Sequence, residues 1–186
     1  MLARIWNRLV RLQPALTGKY RTLADLGSGF GYYGETLREH ADYLVGLDAF
    51  APALEMAKRR KVFDDLIRAD ILHLPLRSLS IDCVTLFDVI GHLSKNDGRE
   101  LLASLESSVF VSTPGCDFSN RSYARFLRNG LENHVSTWSW KEFEGMGYKA
   151  GIRTPPLWMS LLGNKGILFA YKLRSNRASD QAVKQD

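Results

Sequence analysis

The chain has 186 residues, 45% of them apolar, and a formal net charge of +5. That size and apolar share suit one globular domain with a substantial core, and leave no room for a second domain beside a complete α/β sheet. Two scattered cysteines, Cys83 and Cys116, exclude a disulfide framework or a metal knuckle, and no run approaches the ~20 apolar residues of a membrane span.

The charge is lopsided. Residues 1–21 carry Arg4, Arg8, Arg11, Lys19 and Arg21 with no acid, and the end of the chain adds Lys172, Arg174, Arg177 and Lys184. Such ends either attract nucleic acid or an anionic surface, or are simply solvated. Arginines interrupt the first apolar residues, so a signal peptide is not expected and a reducing cytoplasm is. Leu2, Ile5, Trp6, Leu9 and Val10 make the apolar stripe of a short helix, read as a lid over residues 1–20 or, alternatively, a membrane-surface contact.

A first strand is expected over Arg21–Leu26, then the glycine run Asp25-Leu-Gly27-Ser28-Gly29-Phe-Gly31, then a helix from Tyr32 to His40. Glycine lets backbone turn sharply and approach a ligand. Asp25 puts a negative charge beside that ligand, which suits an amine-bearing or cationic molecule better than a pyrophosphate. Gly29-Phe-Gly31-Tyr-Tyr-Gly34 also fits the dinucleotide fingerprint, with Asp48 nineteen residues beyond Gly29.

Further strands are expected at Tyr43–Asp48, Leu66–Ala69 and Cys83–Phe87, with a helix at Ala51–Arg60. Asp97 and Glu100 read as a capping box opening a helix to Ser107, Val109–Ser112 as strand five, and Ser139–Glu142 as a second capping box. Tyr148–Arg153 and Gly166–Leu173 close the pattern as a strand pair, followed by a flexible basic tail over 175–186. Alternating units of this kind make a doubly wound, mostly parallel α/β sheet with helices on both faces.

Ligands of such sheets sit outside the carboxyl ends of the strands. Asp25, Asp48, Asp70 and Asp88 all close strands there. One such acid is ordinarily a cap or a solvated loop residue; four in register line one edge.

Asp25-x-Gly27-x-Gly29-x-Gly31, the acids closing the next strands and Phe87-Asp-Val-Ile-Gly-His-Leu93 together resemble the class I, Rossmann-like S-adenosylmethionine-dependent methyltransferases, over residues 19–173. The resemblance extends through Val111-Ser-Thr-Pro114 and His134-Val-Ser-Thr-Trp138, a segment similar to one in small, mostly uncharacterised members. It implies a Rossmann-like seven-stranded sheet with an antiparallel last strand, a methyltransferase domain over 21–174, and S-adenosylmethionine as donor with no metal. It assigns Asp25, Gly27, Ser28, Gly29 and Gly31 to the methionine and ribose portion, and Asp48, with Ala49, to the ribose hydroxyls. Phe50 covers an adenine face, Asp70 accepts from the adenine amine, and Ile71 packs on the ring. Asp88 and His92 fall at the methyl-transfer edge. Where the family commonly has a second acid, this chain has Gly91.

His92 is a candidate general base, since imidazole takes a proton near neutrality; equally, it ties the loop to backbone. His134 and Trp138 read as a substrate-pocket wall, or Trp138 as core. Arg121, Arg125 and Arg128 share one helix face, suited to an anionic acceptor group or to water. The expected acceptor is a small molecule, with RNA as the alternative through the basic ends. A noncatalytic cofactor-binding protein and a nicotinamide oxidoreductase are the other classes weighed.

Overall fold

A computed structural model describes residues 16–75, 80–114, 134–153 and 166–174. The expected lid helix, the Arg121/Arg125/Arg128 face and the 175–186 tail lie outside these residues.

Seven strands form one sheet: β1 (Tyr20–Leu26), β2 (Ala41–Asp48), β3 (Asp65–Arg68), β4 (Cys83–Phe87), β5 (Ser108–Pro114), β6 (Lys149–Arg153) and β7 (Ile167–Lys172). Their order is β3-β2-β1-β4-β5-β7-β6. The first five run parallel, while β7 lies antiparallel between β5 and β6. This is the expected fold, including the reversed last strand. The chain reverses direction across the sheet at β1 and β4, and a ligand crevice opens at such a switch point.

The central strands are legible as such because they are apolar on both faces. All five residues of β4 are buried, as are Leu23–Leu26 of β1 and Ser108–Thr113 of β5. Cys83 is a buried core residue. The helices are α1 (Gly34–Arg38), α2 (Ala51–Arg60), α3 (Lys95–Ser104) and α4 (Trp140–Gly145). Pro52 sits in the first turn of α2, where its missing N–H leaves no bond unmade.

Two helix starts differ from expectation. The helix after the glycine run begins at Gly34 rather than Tyr32 and is only five residues long. The preceding residues form turns, with Gly31 N–H donating to the Ser28 carbonyl at 2.8 Å. The second difference is at α3, which starts at Lys95: its cap is Ser94, whose Oγ accepts from Asp97 N–H at 3.2 Å, and Asp97 itself lies in the first turn. Ser94-x-x-Asp97 is the nearer capping pair, and Gly98 within the helix leaves room for the Trp138 ring, which a Cβ would approach to 2.7 Å.

The capping box at α4 is present as read: Ser139 Oγ accepts from Glu142 N–H, and the Glu142 carboxylate accepts from Ser139 N–H at 2.9 Å. Lys95 also pairs with Glu142, tying α3 to α4. Partial burial pushes the Glu142 carboxyl up, but Lys95 and Ser139 outweigh it and hold it at about 2. A depressed carboxyl stabilises the fold above its unfolded value and stops doing so as pH falls toward 2. Lys95→Ala is therefore expected to lower unfolding free energy by about 1 kcal/mol at pH 7, given partial solvent screening, and to have little effect near pH 2. Denaturant melts at both pH values check this.

Candidate functional site

The carboxyl ends of β1, β2 and β4 carry the candidate site. Leu47 O accepts from both Gly27 N–H (2.7 Å) and Ser28 N–H (2.9 Å), so the glycine loop folds back over the end of β2. Gly27 has φ +73, and a Cβ there would lie 2.4 Å from Val89 Cγ2. Only glycine permits both the turn and the seating of the post-β4 loop against it. At Gly29, with φ +52, the side-chain direction is open space.

Asp48 holds this loop. Its Oδ2 accepts from Gly29 N–H and its Oδ1 from Phe50 N–H, each at 2.8 Å. Each carboxylate oxygen has a second lone pair, so both can accept again from a ligand hydroxyl. Ala69 N–H bonds the Asp48 carbonyl at 3.1 Å and brings the loop carrying Asp70 alongside. Asp70 itself is exposed; it bonds Leu72 N–H at 3.0 Å and lies 3.2 Å from His73 Nδ1. Phe50 is half-buried and Ala49 exposed. Ile71 lines a hollow of about 420 Å³ on the α3 face, shared with Leu26, Ile81, Val84 and Leu101. That hollow lies under the sheet face rather than at the strand tips and contains none of Asp25, Asp48 or Asp88.

Asp25 is enclosed, at 1% exposure. Its Oδ1 accepts from Thr85 Oγ1 at 2.8 Å, across the β1–β4 pairing. Its Oδ2 and the nearby loop's Ser28 Oγ have no hydrogen-bond partner among the described residues. Burial raises the Asp25 carboxyl to about 7; Thr85 opposes the shift and the Asp48 charge adds to it. A half-satisfied carboxyl in a dry site favours a ligand bearing donors and positive charge.

Asp88 stands at the end of β4 with φ +60, unusual for a residue with a side chain. Its N–H donates to Ser112 O at 2.9 Å, and its Oδ2 accepts from Tyr33 OH at 3.1 Å. Tyr33 was not visible as a site residue in the sequence. Its ring packs edge-on against Phe87 at 5.2 Å, and burial with the facing Asp88 carboxylate raises its phenol well above the ordinary value, so it stays a donor.

After Asp88 the chain makes a 3₁₀ turn, Ile90–His92. The 134–138 segment is clamped onto it: Val135 and Ser136 N–H groups donate to Gly91 O at 2.9 and 3.1 Å, and Trp138 Nε1 donates to Ile90 O at 3.2 Å. His134 stands over Gly91, where a Cβ would meet its ring carbon at 2.5 Å. The His92 and His134 rings are 4.3 Å apart. Trp138 is 1% exposed and packs on Gly98 and Phe143, so it presents no face to a substrate; the pocket-wall reading is corrected for this residue. Arg121 and Arg125 lie outside the described residues. Among those residues no group of three or more His, Cys, Asp and Glu could hold a metal, and no helix is long and apolar enough to cross a membrane.

Residues 24–108, from β1 to the start of β5, match the methyltransferase domain family. Structural likeness covers more of the chain. A chain of the complex between the Haloferax volcanii Trm112 methyltransferase activator and a methyltransferase superposes with a TM-score of 0.67 at 16% identity, covering 94% of this chain and 91% of that one. Residues 24–108 thus match a methyltransferase domain, and the fold is the Rossmann-like fold of S-adenosylmethionine-dependent methyltransferases. The DhpI–SAH complex shares the superfamily fold with a TM-score of 0.65, at 17% identity over 95% of this chain and 87% of that one. Among curated proteins, the malonyl-[acyl-carrier protein] O-methyltransferase of Yersinia pestis is 34% identical over 59% of this chain and 38% of its own length. The 18S rRNA (guanine-N(7))-methyltransferase RID2 of Arabidopsis thaliana is 44% identical over 41% of this chain and 31% of its own. The chain thus spans about a third of the length of the curated relatives it matches.

Proposed function

We propose that the chain binds S-adenosylmethionine across the tips of β1, β2 and β4 and transfers its methyl group to a small-molecule acceptor. The supporting observation is the chemistry left unfilled there: the orphaned Asp25 Oδ2 and Ser28 Oγ, the spare lone pairs of Asp48, and open space over Gly29. A nucleoside with ribose hydroxyls, an ammonium and a sulfonium matches that set. A dinucleotide matches it less well. Its pyrophosphate would face the Asp25 carboxyl, and α1 is a five-residue helix starting three residues after Gly31, with no long dipole at the glycine loop.

The residues divide the work. Asp48 takes the ribose, with Phe50 and Asp70 on the adenine side, and Asp25 and Ser28 meet the methionine portion. The donor supplies an activated methyl on a positive sulfonium. Asp88, held by Tyr33, and His92 flank the acceptor side, where the protein aligns the attacking atom and excludes water. RNA is the second reading, favoured by the likeness to an rRNA-directed enzyme and by the basic ends of the chain.

Calorimetric titration with S-adenosylmethionine, S-adenosylhomocysteine and NAD tests the reading; binding of NAD alone overturns it. Asp48→Ala is expected to weaken S-adenosylmethionine binding by about 1–3 kcal/mol, through lost charge-assisted hydrogen bonds and a loosened glycine loop. Unchanged affinity would remove Asp48 from the ribose site. Transfer of a labelled methyl to matched small-molecule and RNA acceptors separates the two substrate classes.

A further inference from the structure

The acceptor side holds a pair of side chains that the methyltransferase reading does not explain. His92 and His134 come from segments far apart in sequence, yet their rings lie 4.3 Å apart at an interplanar angle of 43°. The 134–138 segment is bonded to Gly91 O and Ile90 O, so His134 is held against His92 by backbone rather than by chance packing. Gly91 makes the approach possible, because a Cβ there would overlap the His134 ring. Where the resemblance anticipates a carboxylate, this chain has an imidazole standing over a glycine.

Each ring also has an unfilled nitrogen. His92 Nδ1 and His134 Nε2 are buried and have no hydrogen-bond partner among the described residues. Buried polar atoms without partners are rare, and they cluster where a ligand supplies the missing bond. The groups on neighbouring elements are already engaged or uncharged. Asp88 is bonded to Tyr33, Lys95 of α3 pairs with Glu142 of α4 and lies over the Trp138 ring, and Thr113 of β5 offers only a hydroxyl.

We propose that His92 and His134 form one acid–base unit, a two-imidazole site that holds at most one proton at neutral pH and keeps a neutral ring nitrogen for the proton of an O–H or N–H acceptor. The proposal rests on the methyltransferase reading and narrows the acceptor to a protic group, as opposed to a carboxylate that needs no base. The acceptor atom gives its proton to that nitrogen as it bonds to the methyl carbon. The electron pair of the broken methyl–sulfur bond stays on sulfur, so one positive charge leaves the sulfonium and one appears on the imidazole pair. Two imidazolium rings this close repel each other, so the pair takes the acceptor's proton from its uncharged state and holds no second one. Burial and the neighbouring His92 both lower the His134 pKa, in the direction this role requires.

The test is a pH titration of the histidine ring protons by NMR on the full chain, with and without saturating S-adenosylhomocysteine. The chain has only four histidines, and His134→Gln assigns the signal in question. The His134 midpoint is expected below the free-imidazole value, and to rise by ~0.7 unit or more in His92→Gln, the shift that even full water screening of two charges 4.3 Å apart would leave. His92→Asn is a second variant should the first fold poorly, with S-adenosylhomocysteine affinity as the control for an intact fold. A His134 midpoint at the ordinary value, or one indifferent to both substitutions, overturns the proposal. Failure to bind S-adenosylhomocysteine in the parent chain would instead remove the methyltransferase reading, so the two failures are distinct.

Discussion

Binding of S-adenosylmethionine is expected to release a proton below neutral pH, and Asp25→Asn to abolish that release. In the free protein burial holds the Asp25 carboxyl at about 7, against an ordinary value of 3.8. The folded chain therefore keeps a proton that the unfolded chain has lost between those two values. Folded stability must fall as pH rises across that window, by a ceiling of ~4 kcal/mol for a shift of that size. A cationic ligand beside Asp25 favours the ionised carboxylate, so affinity should climb from pH 5 to pH 8, by up to ~10-fold per unit below the free-state pKa. Two measurements check this. Calorimetry in buffers of differing ionisation enthalpy counts the proton released. Denaturant melts of the unliganded protein should show Asp25→Asn more stable than the parent at pH 8 and about equal to it near pH 4. An affinity independent of pH in the parent chain would mean that Asp25 does not face the ligand's charge.

That result would also explain why a costly acid is kept. Asn would pair with Thr85 equally well, yet would give nothing to an ammonium or sulfonium. The free protein carries the strain of a half-satisfied carboxyl, and the ligand relieves it.

The sheet is legible because its central strands, Leu23–Leu26 and Cys83–Phe87, are apolar but for Asp25 and Thr85, a pattern that burial on both faces explains. The acidic edge where we place the cofactor is legible for a related reason. Asp25, Asp48 and Asp88 interrupt such runs at their carboxyl ends, and the register of a parallel sheet then brings those ends together. The errors were local. Two capping pairs overlap at the start of α3, Ser94 with Asp97 and Asp97 with Glu100, and the sequence alone does not say that Ser94 is the one that caps. Tyr33 is not legible in this way, because a tyrosine after a glycine run signals nothing until Asp88 is known to face it. The His92–His134 contact spans more than forty residues and hinges on what Gly91 lacks, and spacing along a chain cannot reveal such a contact.

The largest stability loss is expected at Trp138, and it should carry the acceptor side with it. The side chain is 1% exposed and fills the space above Gly98, where a Cβ would lie 2.7 Å from the indole. It packs against Phe143 at 5.3 Å between ring centres, and the Lys95 ammonium lies 4.7 Å over its face. Its Nε1 donates to Ser136 Oγ at 2.9 Å as well as to Ile90 O. Truncation to alanine opens a cavity between α3 and α4 and strands those acceptors, so Trp138→Ala should cost about 3–5 kcal/mol in denaturant unfolding. Trp138→Phe keeps most of the packing and loses the indole bonds, and should cost about half as much. The functional consequence separates the two halves of the site. The Ile90 bond helps to seat His134 over Gly91, so Trp138→Phe should return the His134 titration midpoint toward the free-imidazole value. S-adenosylhomocysteine affinity should stay within about twofold, since the indole bonds Ile90 and Ser136 and packs on Gly98 and Phe143, whereas the glycine loop is held by Asp48 and Leu47. A Trp138→Phe protein that lost cofactor affinity while keeping the histidine titration would show that α3 and α4 support the donor half instead.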